Sequence, residues 1–214
     1  MKTCSCKVIR IALMLGSASV VLGATSLLAG DGSSGLSSGL YLATDAGLNL
    51  ADNLTTSSGS ISLSPGLRWD FSTGYAFKLS DQLTLAPELE VGIIYNSLDN
   101  ASAGGQSASV SGSFTQVPLL ANAVLNWQFS PNWVAYAGAG AGLDYSFLSV
   151  SSAGGIGLGA TASESDFAWQ GMAGIRYKFG SSELGLGYKY LAVQPSGLQT
   201  VGNNAFMVSY TFHF

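Results

Sequence analysis

The chain has one histidine, His213, and Ser209 and Thr211 precede it at two-residue spacing. In an extended strand that spacing puts a hydroxyl and a base on one face. Nucleophilic catalysis also needs a third group that orients the base, and no carboxylate stands near His213 in the sequence. Acids such as Glu88 and Glu90 are of the right type for acid–base hydrolysis, but basic residues expected on the same side account for them as counter-ions. Gly154-Gly155-Ile156-Gly157-Leu158-Gly159 imitates a nucleotide-binding glycine pattern, yet it opens no helix and is expected to be a flexible outer loop. Gly138, Gly140 and Gly142 fall inside a strand, where they are expected to make room for bulky neighbours. Asn53-Leu54-Thr55 matches a glycosylation acceptor only in form. Cys4 and Cys6 have CxC spacing but fall in a segment expected to be discarded. No group has metal-ligand spacing. The expectation is a protein with no catalytic residue, cofactor or metal.

The elements that must position any site follow from composition and pattern. Of 214 residues, 47% are hydrophobic and only 9% charged, a membrane-like balance. Residues 1–30 read as a secretory signal, with Lys2, Lys7 and Arg10 before an apolar Ile11 to Leu22 that is short for a spanning helix. Small residues between Gly23 and Gly30 offer the cleavage point, and Asp31 stands where a lipoprotein would need cysteine. Residues 31–214 then form one domain without cysteine. Removing three of the eight basic residues leaves five against twelve acids, a net charge of −7, which argues against nucleic acid as a partner. Beyond the leader no apolar run of spanning length appears.

Instead, apolar and polar residues alternate with the period of a strand. Strands are expected at Gly39 to Leu50, Leu67 to Leu79, Leu83 to Asn96, Gln116 to Phe129, Trp133 to Phe147, Asp166 to Phe179, Glu183 to Leu191 and Asn204 to Phe214. Short turns at Ser80-Asp81-Gln82, Ser130-Pro131-Asn132 and Gly180-Ser181-Ser182 alternate with long Ser/Gly/Ala/Asn-rich connections near 51–66, 97–115, 148–165 and 192–203. In the sixth strand Phe167, Trp169, Ile175 and Tyr177 oppose Asp166, Gln170, Arg176 and Lys178, and the second set cannot meet lipid. Aromatic rings gather at strand ends, as Trp127, Phe129 and Trp133 do at one end and Tyr145 and Phe147 at the other, where a membrane interface suits them.

Strands cross hydrocarbon only with every backbone ladder paired, since each orphaned amide costs several kcal/mol. The fold expected is therefore all-β: a closed antiparallel up-and-down transmembrane β-barrel of eight strands. At that strand number side chains fill the interior. The polar phase assigns Asp45, Arg68, Asp70, Lys78, Glu88, Glu90, Asp144, Asp166, Arg176, Lys178, Glu183 and Lys189 to a lumen charge network, in which buried charges must pair. Lys178 with Glu183, and Asp70 and Glu90 with Arg68, are the pairs that register brings together.

This pattern resembles the eight-stranded outer-membrane barrels of Gram-negative bacteria, of the OmpA and OmpX kind and the related surface-antigen barrels, over Gly39 to Phe214. The most specific element is the end of the chain, where Tyr210 and Phe212 lead to Phe214 at two-residue spacing. The resemblance implies that this aromatic strand is the signal read by the barrel-assembly machinery, with outer-membrane lipid as the standing partner and the long loops facing outward. It implies a structural, envelope-integrity or surface-antigen role, the external ligand being open. Some relatives remodel lipid A with a His, a Ser and an acid near the outer leaflet, whereas His213 falls at the periplasmic end. The rival readings are a narrow ion or small-solute channel and a soluble ligand-binding barrel, which also closes with eight strands.

Overall fold

The computed structural model describes residues 36–195 and 199–214, so the expected leader and part of the 192–203 connection lie outside the described residues. The strands are β1 (Gly39–Ala51), β2 (Leu54–Thr56), β3 (Gly59–Leu63), β4 (Gly66–Ser80), β5 (Leu83–Ala103), β6 (Gln106–Ser130), β7 (Trp133–Ala153), β8 (Ile156–Phe179), β9 (Ser182–Val193) and β10 (Val201–His213). Eight of them form an antiparallel ring in the order β1-β4-β5-β6-β7-β8-β9-β10, closed by β1 on β10 in the register Leu42↔Phe212 and Asp45↔Ser209. All eight predicted strands are members of this ring. Closure leaves no edge, which is what hydrocarbon demands of a spanning sheet.

The ring is apolar outside and polar inside. On β8, Phe167, Trp169, Ile175 and Tyr177 are 41–52% exposed while Gln170 and Arg176 are 1% and 8% exposed. A soluble ligand-binding barrel would show the reverse. From Trp133 to Tyr145, both outward-facing on β7, the strand rises roughly 40 Å. At a tilt of about 45° that is roughly 28 Å along the normal, close to the hydrocarbon thickness. The two aromatic girdles thus stand one membrane apart.

Two expectations about the connections are corrected. Residues 97–115 and 148–165 are not irregular loops: β5 and β6 stay paired out to Ala103↔Gln106, and β7 and β8 to Ala153↔Ile156. Each ladder ends in a two-residue turn with positive φ at both positions, Gly104 and Gly105 in one and Gly154 and Gly155 in the other, the type I′ geometry that matches strand twist. The Gly154–Gly159 run is therefore a hairpin tip and the start of β8, and no flexible loop. Residues 51–66 also carry structure, for β2 and β3 form a hairpin that pairs with the part of β5 farthest from the short turns through Ile61↔Ala101. The period-2 signal fades there because, past the membrane, neither face has to be apolar, while backbone pairing continues.

Inside, apolar and polar layers alternate. Along β5 from the short-turn end the inward residues run Ala86, Glu88, Glu90, Ile94, Asn96 and Leu98. Ala86 packs with Tyr41, Val124, Tyr136 and Met172, Ile94 with Leu120, Ala168 and Leu191, and Leu98 with Leu54, Val110, Phe114 and Val201.

Candidate functional site

The middle polar layer is the densest chemistry in the molecule. Arg68 enters from β4 and is 1% exposed. Its Nε donates to Asp70 at 2.8 Å, and its Nη2 donates to Glu90 and to Gln170, each at 3.0 Å. Lys189 enters from β9, and its Nζ lies 2.7 Å from Asp45, 2.8 Å from Asp70 and 2.9 Å from Glu90. Asp45, Asp70 and Glu90 are close enough together to hold a metal ion, but the Lys189 ammonium already occupies their centre. Gln170 donates to Glu90 at 3.0 Å and to the Asn122 carbonyl at 2.9 Å, while the Asn122 amide donates to Glu88 at 3.0 Å. Tyr41 closes the layer with a 2.9 Å bond to Glu88. Side chains from β1, β4, β5, β6, β8 and β9 thus meet across the interior. A Cβ at Gly140 would overlap the Asn122 side chain, so this lumen-side glycine does make room, as expected.

A second polar layer sits toward the short turns. Arg176 donates to Asn126 at 3.1 Å, approaches Glu183 at 3.8 Å and lies 4.0 Å over the Tyr136 ring. Glu183 also lies 3.2 Å from His213 Nε2, so the fold supplies the acid beside His213 that local sequence lacks. The hydroxyls of Ser209 and Thr211 have no hydrogen-bond partner among the described residues, and no nucleophile–base relay is formed with His213. Lys178 is paired in register with Glu183, as expected, and is half-buried.

Of the twelve charges assigned to the lumen, Lys78 is corrected. It keeps the inward phase, in register with buried Thr84, but its side chain is 45% exposed and pairs with Asp81 at 3.0 Å, because this close to the short turn the strand end is open to water. Asp144 and Asp166 are inward and buried but join neither cationic layer. The neutral residues Tyr41, Asn122, Gln170, and the Asn49 amide that donates to Asn96 and Asn203 at 3.0 and 2.9 Å, are absent from the network assigned from sequence, although the sequence does place Gln170 on the face that cannot meet lipid. The signal was present, since each holds the inward phase of its strand. At the end of the chain Tyr210, Phe212 and Phe214 are 43%, 40% and 70% exposed, and Phe212 and Phe214 pack edge to face at 5.2 Å.

A family model described as "Outer membrane protein beta-barrel domain" matches residues 17–214. Among curated proteins none matches the chain. Neisserial surface protein A (NspA) is similar in fold, with a TM-score of 0.54 at 18% identity over 83% of this chain and 98% of that one. Ail, the attachment invasion locus protein of Yersinia pestis, in complex with the heparin analogue sucrose octasulfate, gives 0.48 at 12% over 81% and 99%. OprG from Pseudomonas aeruginosa gives 0.48 at 10% over 85% and 99%. With its closed eight-strand ring, lipid-facing exterior and a family match over nearly its whole length, the chain belongs to the outer-membrane protein β-barrel family of bacteria.

Proposed function

We propose that this protein is a non-enzymatic, non-conducting envelope barrel whose extended hairpins form an external surface of structural or antigenic character. The observation that carries the reading is the closed middle layer, where Arg68 and Lys189 are buried with Asp45, Asp70 and Glu90 and hydrogen-bonded across the interior by Gln170 and Asn122. Moving an ion through it would require breaking several buried charge-assisted contacts at once, each strong in a low-dielectric interior. The β5–β6 and β7–β8 hairpins extend past the outer girdle, and loops and hairpin tips on a rigid scaffold are where such proteins place their contacts. These tips are rich in Ser, Gly and Ala and poor in charge, which favours a structural or antigenic surface over a tight-binding one.

The reading includes a cleaved leader within residues 1–30, outward-facing hairpins, and recognition of Tyr210, Phe212 and Phe214 by the barrel-assembly machinery. Planar-bilayer recording of the refolded protein tests it. The expected result is no sustained unitary current, and steady, reproducible conductance steps would select the narrow-channel reading instead.

A further inference from the structure

Asp144 of β7 and Asp166 of β8 are register partners. Both point inward, Asp144 at 0% exposure and Asp166 at 8%. Directly opposed residues of an antiparallel pair keep their Cβ atoms about 4.5–5.5 Å apart, so the two carboxylates share one space. Deeper in the barrel, Asp45, Asp70 and Glu90 meet Lys189, and Glu183 meets Arg176. Asp144 and Asp166 meet no cation among the described residues.

Their remaining valences are open. Ser146 Oγ and Gln116 Nε2 both donate to Asp144 Oδ2, at 2.6 and 3.4 Å, while Asp144 Oδ1 is buried without a donor. The Asp166 carboxylate has neither hydrogen bond nor ion pair among the described residues, and its Oδ2 is shut from solvent. Gln116, whose amide reaches Asp144, is itself 0% exposed with its carbonyl Oε1 lacking a donor, and a half-turn of the amide exchanges that oxygen for the nitrogen beside Asp144. Three neighbouring strands therefore present buried oxygen acceptors, and among the described residues no cation is paired with them. Below the pair, Ala168 belongs to the apolar layer of Ile94, Leu120 and Leu191, and Arg68 beyond it acts on Asp144 only at a distance, its ion pairs going to Asp70 and Glu90. On the outer side, Ser146 and Glu164 line a pocket with Phe114 and Leu148. Glu164 is exposed and stands opposite Ser146 in register, giving an acidic entrance.

We propose that Asp144, Asp166 and Gln116 bind one hard divalent cation of the Ca²⁺ type, admitted from the outer end past Glu164. Two carboxylates balance its charge, and the donors are all oxygen. They come from three separate strands, and the remaining coordination positions fall to water, an arrangement that Ca²⁺ tolerates and Mg²⁺, with its strict octahedron, does not. Two bare carboxylates held together in this interior would be strongly disfavoured without such a partner.

The test is equilibrium dialysis of Ca²⁺ against the full mature protein, refolded in zwitterionic detergent free of lipopolysaccharide, with Mg²⁺ as competitor. The expected result is one Ca²⁺ per chain, poorly displaced by Mg²⁺, with affinity reduced at least tenfold in Asp144→Asn and in Asp166→Asn but unchanged in the exposed control Asp81→Asn. Ca²⁺ should also raise the unfolding temperature of the wild type and not of Asp166→Asn, while all variants keep their compact unboiled gel form. No stoichiometric binding by the wild type overturns the proposal whatever the variants do, and so does binding that survives in both Asn variants.

Discussion

Lys189 on β9 and Asp70 on β4 stand 119 positions apart in the chain, yet the ammonium lies 2.8 Å from the carboxylate at the centre of the barrel. Neither strand pairs with the other: β1 and β10 lie between them in the ring. The contact therefore crosses the lumen and depends on closure. Removing one partner of such a buried group leaves uncompensated charge, so Lys189→Met is expected to lower stability by about 3–5 kcal/mol. Urea unfolding in lipid vesicles measures this. The double variant Lys189→Met, Asp70→Asn should recover part of the loss, and a strictly additive result would show that the two residues act separately.

Outward residues should be penalised by depth. Leu89 is 62% exposed in the middle of β5 and Ile156 is 68% exposed at the hairpin tip of β8. Leu89→Arg is expected to cost about 2–4 kcal/mol and Ile156→Arg about 0–1 kcal/mol. Equal costs would contradict the placement of the girdles.

The interior glycines make a steric prediction. Gly140→Val would drive a side chain into Asn122, whose amide holds Glu88 and whose carbonyl receives Gln170. A cost of about 1–3 kcal/mol is expected from overpacking a filled interior, read from the urea midpoint. Gly171 on the neighbouring strand has nothing within 4 Å of an added Cβ, and Gly171→Ala should leave the midpoint nearly unchanged.

Phe214 separates assembly from stability. Its ring is 70% exposed and touches Phe212, so Phe214→Ala is expected to change the unfolding midpoint of the refolded barrel by less than about 1 kcal/mol. In cells the same variant should lower the amount of folded barrel in the outer membrane. Wild-type assembly in cells would remove the C-terminal strand from the proposed signal.

The sequence by itself determined the ring and its two faces. Period-2 alternation in segments such as Leu67 to Leu79 and Asp166 to Phe179 follows from one physical demand, lipid outside and filled polar space inside, and that demand acts on every residue of the crossing. It also supported the Arg68–Asp70–Glu90 group, because two of these residues are neighbours on one strand and the third lies on the adjacent one. Tertiary structure alone decided the rest. Lys189 reaches Asp70 through closure of the ring, and Glu183 reaches His213 through the register of β9 on β10, in which Thr211 stands opposite Glu183, and no local pattern records either. Lys78 stands outside the network because its inward-phase side chain lies at the open rim, where it meets Asp81 and water. The hairpins beyond the membrane look like loops in the sequence because, once lipid no longer selects one face, pairing persists in the backbone without leaving a signal in the side chains. Asp144 and Asp166 were legible as inward acids, but only their register across β7 and β8, and the apolar layer beneath them, shows two carboxylates facing each other without a cation.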